Sequence, residues 1–427
     1  MQGSTPPLCP DVNPRRVPAW LWLVAPAVFA LAALIGCIRV EDSWESLGIL
    51  HLKPYFSDLV AVLAASDAHA AGLDPYLSPS PFDPSGRPHV YGPWWLYLHE
   101  LGLTRKDATW AGALLVVFST ALLAWVLRPR DWRQSLLATA LMLSPPLLLA
   151  YERANNDLVI FVMLVLVGIA GPGTLGLIIQ ASLIWLASVL KFYPIAALPI
   201  LAYQTNWPKA VITTAMVILA LAGVVYLWHS DFTHAISLLP KPDTSYGYGF
   251  SIIITLIRDR LPQIIGKAAI ISGLVVGVGA VIGSGGFNNH LQRAIAESDV
   301  VRWFLAGGLT WTSCYFSAIS FPYRVILLLL VASAWFRIWQ KGAKPASSYA
   351  RSMLILLALM VWLRLPSVQL VFLAPDNRYL LGVFGLGVEH GIALGLSLVV
   401  LYGMITLGWL QLCAWRQASC QEITGTT

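Results

Sequence analysis

Charge is what this chain has least of: Asp, Glu, Lys and Arg make up 11% of its 427 residues, against 57% hydrophobic. A soluble domain carries about 25% charged residues, so that class is excluded. The net charge of +6 is spread over short loops and gathers on no amphipathic face, which excludes a nucleic-acid partner. The five cysteines, Cys9, Cys37, Cys314, Cys413 and Cys420, have no metal-ligand spacing, and those inside apolar runs behave as small hydrophobes. No pair among His69, His89, His229, His234 and His390 has the spacing of a metal site, so a singly satisfied imidazole is the default for each. No glycine-rich phosphate loop opens a helix, which argues against a nucleotide-dependent enzyme. Neither a metal nor a cofactor is expected.

What the chain does have is hydrocarbon in membrane-length pieces. Apolar segments begin near Pro18, Ala108, Ser135, Leu158, Thr174, Phe192, Ala210, Ala268, Trp303, Val325, Met353 and Gly391. They predict an all-α polytopic membrane protein with about twelve crossings, in a range of about 10 to 13. The run from Pro18 to Ile38 reads as a retained first helix rather than a cleavable signal. One integral membrane domain covers 1–427, with 1–17 as a cytoplasmic tail.

The basic residues report orientation. Arg15, Arg16, Arg128, Arg130, Arg133, Lys209, Arg293, Arg337, Lys341, Lys344, Arg351 and Arg416 fall on one side when the segments alternate. By the positive-inside rule both termini are then cytoplasmic. Alternation sends Arg39–Asp107, Tyr151–Asp157, Lys191–Tyr193, His229–Pro262, Ser320–Arg324 and Arg364–Gly387 to the external face. Nearly all the unusual polar residues are in them. Non-helical backbone at membrane depth has to be covered by protein or line a wet cavity, so these segments are expected to fold over one another.

The first external loop, 39–107, is the longest. Ser57 is placed to cap a helix from Asp58 to about Ala71, with Gly72 as its stop. Such a helix lies in the interface plane. Asp58 and Asp67 are nine residues apart, on roughly opposite faces, so they do not form a paired-carboxylate dyad. Two readings of Asp58 stand: a first-turn acid favoured by the helix dipole, or a general base. Gly72-Leu73-Asp74-Pro75-Tyr76 is a turn by residue chemistry, and Tyr91-Gly92-Pro93-Trp94 is compatible with an aromatic belt.

Between two apolar segments stands Tyr151-Glu152-Arg153-Ala154-Asn155-Asn156-Asp157. Polar residues at that depth are expensive; they either satisfy one another at a helix junction or serve a function. Lys191 follows an apolar run and precedes Phe192-Tyr193-Pro194, so its ammonium snorkels or meets an anion such as a lipid phosphate. Arg153, Arg324, Arg364 and Arg378 are further external cations, and a guanidinium offers paired donors to phosphate.

In order, Ser57-Asp58-Leu59, Gly72-Leu73-Asp74-Pro75-Tyr76, Tyr91-Gly92-Pro93, Glu152-Arg153-Ala154-Asn155-Asn156-Asp157 and Lys191-Phe192-Tyr193-Pro194 resemble the C superfamily of glycosyltransferases. Within it they are most similar to the bacterial family 87 mannosyltransferase-like branch. The resemblance runs to about Pro194; beyond that it rests on hydropathy and Phe321-Pro322-Tyr323-Arg324. The chain departs from the family at His89-Val90-Tyr91-Gly92-Pro93, where Tyr-x-Tyr-Pro-Pro is common. The resemblance implies a metal-independent, inverting transfer of a hexose, in the first instance mannose, from a polyprenyl-phosphate sugar to a glycolipid or glycan acceptor. It implies Asp58 as base, with Lys191, Arg324, Arg153, Arg364 and Arg378 holding the donor phosphate. His69, Asp74, Tyr76, Tyr91, Glu152, Asn155, Asn156, Asp157 and Tyr193 are then expected around the substrates. The partners implied are these two substrates and membrane lipids. The rival class is a membrane transporter or glycolipid flippase, although such proteins often show repeated halves and none is obvious here.

Overall fold

A chain with this little charge buries backbone polar groups wherever it meets hydrocarbon, and a helix satisfies them within one segment. The computed structural model describes residues 18–40, 42–47, 49, 51–171, 173–204, 207–239, 247, 249–255, 263–283, 298–317, 321–373 and 379–424, and every regular element in them is helical. Helices α1 Ala19–Arg39, α2 Asp42–Ser46 and α3 Ser57–Ala70 lead through a 3-10 segment, Pro93–Leu101, to α4 Ala108–Leu127. Then come α5 Trp132–Met142, α6 Pro145–Glu152, α7 Asp157–Ile169 and α8 Thr174–Leu190, followed by the 3-10 turn Tyr193–Ala197 and α9 Ile200–Gln204. The rest is α10 Trp207–Leu227, α11 His229–Ser237, α12 Phe250–Thr255, α13 Gln263–Gly283, α14 Ser298–Ser317, α15 Val325–Lys341, α16 Lys344–Leu373 and α17 Tyr379–Thr424. Each apolar segment start read from the sequence falls within or beside one of these helices.

Among the described residues, six helices are long and apolar enough to cross a membrane: Trp20–Arg39, Arg105–Leu127, Pro208–Leu227, Pro322–Lys341, Lys344–Leu363 and Gly387–Cys413. A seventh span is formed if α5 and α6, bent by 56°, count as one. That break has a local cause. Pro145 and Pro146 bring no N–H to the helical ladder, so α5 stops and α6 restarts with proline in its first turn. Burial separates centre from rim: 89% of Pro322–Lys341 is enclosed by protein, against 22% of Trp20–Arg39 and of Pro208–Leu227. The core helix is therefore α15, buried from Val325 through Ile338.

In the second half α13 and α17 meet through small residues. A Cβ on Gly273 would lie 2.6 Å from the Gly391 carbonyl oxygen, and one on Gly395 3.0 Å from that of Gly273. With lipid tails as apolar as leucine, helices associate by close packing, which these glycines allow.

Helix α3 ends as expected, with Ala71 N–H donating to the Asp67 and Ala68 carbonyls and Gly72 at φ +71°. Its start is different. Ser57 is inside the helix, its hydroxyl has no hydrogen bond, and the N-cap is Phe56 at φ 60°. The first amides are satisfied from outside: Phe56 N–H donates to Glu152 O (2.9 Å), while Asp58 and Leu59 N–H share Arg153 O at 3.2 and 3.4 Å. Tertiary contact replaces the serine cap.

Candidate functional site

The turn between α6 and α7 builds the site. Asn155 uses both ends of its amide: Oδ1 accepts from Asp157 N–H (2.8 Å), starting α7, and Nδ2 donates to Asp58 Oδ2 at 2.6 Å. The other Asp58 oxygen accepts from Arg87 Nη1 at 2.9 Å, and Arg153 Nη1 stands 3.9 Å away. Arg87 is itself fixed. Asp83 accepts from its backbone N–H (2.8 Å) and its Nε (3.0 Å), and Nη2 donates to the Ser57 carbonyl at 2.5 Å. Burial works against the Arg87 charge, but the Asp83 hydrogen bond and the charges of Asp58 and Asp83 outweigh it and hold the guanidinium above its ordinary value.

Backbone strain brackets this carboxylate. Of the three non-glycine residues with positive φ among the described residues, Phe56 at 60° and Ala154 at 43° flank Asp58 in space through the shared clamp. Each such residue costs about 1–3 kcal/mol, and such strain persists where surrounding structure over-determines it, often at functional sites.

Beside it lies a second carboxylate. Asp157 Oδ1 accepts from Lys191 Nζ (2.5 Å) and from the Tyr193 hydroxyl, and Arg324 Nε is 3.7 Å from Oδ2. Lys191 is 7% exposed and Asp157 not at all. Its ammonium faces the rings of Tyr91 (5.2 Å), Tyr193 and Tyr323 (both 5.9 Å), a geometry that favours a desolvated cation. Lys191 also lies within electrostatic reach of Asp58. On the far side Glu152 Oε1 accepts from His51 Nδ1 (2.9 Å) and Leu52 N–H (3.3 Å).

Tyr91-Gly92-Pro93-Trp94-Trp95 does more than line an interface. Gly92 N–H (3.2 Å) and Trp95 Nε1 (3.1 Å) both donate to the Leu190 carbonyl at the end of α8, and a Cβ on Gly92 would lie 2.0 Å from Val189 O. Glycine is required by that approach. The contact pins Tyr91 against Lys191.

Thus Asp58, Glu152, Arg153, Asn155, Asn156, Asp157, Lys191, Tyr193, Tyr91 and Arg324, separated in sequence by up to 266 positions, meet at one end of the bundle. His69, Asp74 and Tyr76 do not join them. His69 is near the opposite end of α3, about 16 Å along its axis from Asp58, and Tyr76 reaches the cluster through the ring of His89 (5.8 Å), which in turn meets Tyr91 (5.9 Å). His69 packs against Tyr97 and His99, Asp74 Oδ1 accepts from Tyr76 N–H, and the Tyr76 hydroxyl donates to Asp231 at 3.0 Å. Burial, with Asp231 adding to it, pushes the Tyr76 phenol far above its ordinary value. Arg364 is on α16 but its side chain, like all of Arg378, lies outside the described residues. His390 is buried within α17.

No family model, curated protein or solved structure matches this chain. Its chemistry has to be read from its own side chains.

Sequence reasoning missed Arg87, Asp83, His51 and Tyr323. Three of them had a signal: Asp83 and Arg87 bracket Gly86, an acid and a base closing one turn, and Tyr323 stands in Phe321-Pro322-Tyr323-Arg324. Several buried polar atoms at this end have no hydrogen bond: His51 Nε2, Ser57 Oγ, Glu152 Oε2, Asp157 Oδ2 and both ends of the Asn156 amide. Buried polar atoms are otherwise paired nine times in ten, so a cluster of exceptions marks a place suited to a polar ligand. Each Asp58 oxygen holds one strong donor, and a carboxylate oxygen has two lone pairs, so acceptor capacity is left for a hydroxyl.

Proposed function

We propose that this protein transfers a hexosyl group, mannose in the first instance, from a polyprenyl-phosphate sugar to a lipid-linked or glycan acceptor at the external face of a bacterial plasma membrane. The reading rests on the resemblance of the five polar motifs to the C-superfamily glycosyltransferases. The observation that carries it further is Asp58: a carboxylate at a helix start, with lone pairs to spare, beside guanidiniums and a row of unpaired buried polar atoms. The acceptor hydroxyl gives its proton to Asp58 as its oxygen bonds to the anomeric carbon. The bond from that carbon to the phosphate oxygen breaks on the opposite side, and the polyprenyl phosphate leaves with the added negative charge. Cations stabilise that charge where it develops. Lys191, 7% exposed, is the least open of these cations, and Arg87 (29%), Arg324 (18%) and Arg153 (16%) are the more open candidates to meet the phosphate.

In this reading both termini are cytoplasmic and α3 lies at the external interface. The shorter apolar helices, among them α7, α8 and Tyr193–Tyr203, also cross to bring the count to about twelve. Reconstituted protein supplied with a panel of polyprenyl-phosphate sugars and crude acceptor lipids should yield a product heavier by one hexose on mass analysis. Movement of a solute or lipid across liposomes with no glycosidic product would sink the reading and favour the transporter.

A further inference from the structure

The helix pair that carries Glu152 at one end carries a different feature at the other. Near the start of α5, a groove of about 360 Å³ runs between α5, α15 and α16, with Leu136, Ala140, Trp339 and Ile355 along it and Arg133 and Arg351 at its edge. Its apolar walls are open: Leu136 is 63% exposed and Ile355 52%. Both belong to segments apolar enough for a bilayer, which makes this floor suited to an acyl chain. Trp362 Nε1 donates to the Ala140 carbonyl at 2.9 Å, which holds α16 against α5 and keeps the groove's width.

The two guanidiniums are left positive. Arg133 lies over the Trp132 ring at 5.3 Å and Arg351 Nη2 donates to Ser348 Oγ at 3.2 Å. Among the described residues neither is within ion-pair distance of a carboxylate. Asp131, the nearest acid in sequence, turns its carboxylate to the Arg133 and Gln134 backbone N–H groups.

We propose that this groove binds one anionic phospholipid, its phosphate between Arg133 and Arg351 and the first part of an acyl chain along Leu136, Ala140 and Ile355. A volume near the bottom of the range of about 300–1,000 Å³ for ligand sites holds a headgroup and part of a chain, not a whole lipid. Two fixed cations select an anionic headgroup, because the ammonium of a zwitterionic one meets the same positive field. Each arginine near a membrane surface contributes about five-fold in affinity, so removing both lowers it about thirty-fold.

The test is native mass spectrometry of the full chain in detergent, titrated with phosphatidylglycerol or phosphatidylcholine. Wild type should retain one phosphatidylglycerol in preference to phosphatidylcholine. Arg133→Gln with Arg351→Gln should lose about thirty-fold, and the corresponding double lysine variant should recover most of it. Leu136→Trp, which fills the groove and leaves both charges, should also weaken retention, and inorganic phosphate alone should not compete at equal concentration. Equal retention of both lipids by wild type, or undiminished phosphatidylglycerol on the double glutamine variant, overturns the proposal. Both arginines are exposed, so an unchanged unfolding midpoint is expected for each variant and checks that any loss is local.

Discussion

Asp58 and Asp157 are two carboxylates at two helix starts, joined through one asparagine, yet their surroundings differ in kind. Asp157 is fully enclosed and collects an ammonium, a phenol and a guanidinium. Asp58 keeps a small exposure, 8% of its side chain, and its cationic partner Arg87 is far more open than Lys191, at 29% against 7%. One carboxylate ties the start of α7 to Lys191 and Tyr193 after α8 and to Arg324 before α15. The other is held in place by strained backbone and still has lone pairs to offer. Burying a charge is tolerated when charged and hydrogen-bonding partners surround it, as three do Asp157, whereas the more open partner of Asp58 is what sets that carboxylate apart as the base in the proposed transfer.

Breaking the enclosed carboxylate should have the largest effect. Asp157→Asn takes from the buried Lys191 ammonium its nearest counter-ion and should cost about 3–5 kcal/mol, read as a lowered unfolding midpoint in detergent. Adding Lys191→Met should restore part of it; a single variant as stable as wild type would show that the pairing is dispensable. The mirror experiment is Asp58→Asn, which keeps size but removes the base. Transfer should fall by about 10²–10⁴-fold, while stability drops only by about 1 kcal/mol. Turnover at the wild-type rate would remove Asp58 from the mechanism. Arg87→Lys keeps the charge and loses the fork that reaches Asp58, Asp83 and Ser57 at once. A fall in transfer of about ten-fold is expected, smaller than for Asp58→Asn, with donor KM raised; no change would mean that a point charge suffices.

A last effect shows only in acid and concerns His89, which supports the Tyr91-Gly92 turn beside Lys191. His89 Nε2 is 3.2 Å from the Gly92 carbonyl, so the proton sits on that nitrogen, and its buried Nδ1 has no partner. Burial, opposed by the Gly92 and Tyr91 carbonyls, pushes its pKa down to about 4. Below about 6.5 the unfolded chain takes a proton that the folded chain refuses. Stability is therefore whole above that value and falls as pH drops from about 6.5 to 4, by at most about 1.4 kcal/mol per unit. His89→Gln should flatten that part of the unfolding profile against pH, and an unaltered slope would assign the acid sensitivity elsewhere.

Much of this architecture was legible residue by residue. Hydrocarbon runs marked where helices fall, Gly72 marked the end of α3, and nine-residue spacing separated Asp58 from Asp67, which turns to the Arg105 backbone N–H instead. The crowding of Glu152, Asn155, Asn156 and Asp157 at one junction was visible because polar side chains between apolar segments need a reason. Pairings were not visible. Local chemistry says that Lys191 wants an anion but not that this anion is Asp157, 34 positions away. It places Tyr76 in a turn but cannot foresee Asp231, 155 positions on. Ser57 looked like a cap because serine at that position usually is one; the carbonyl of Arg153 took the work over once the chain had folded.

That last contact makes the location of Asp58 a property of the helix bend rather than of its own loop. Its amide hangs from Arg153 and its carboxylate from Asn155, both just past α6. A change in the 56° angle between α5 and α6 is therefore levered directly onto the carboxylate. A spin-label pair spanning Leu136 and Leu149 would register such flexing as a change in distance. If the angle moves, the double proline is the fulcrum on which the position of Asp58 is set.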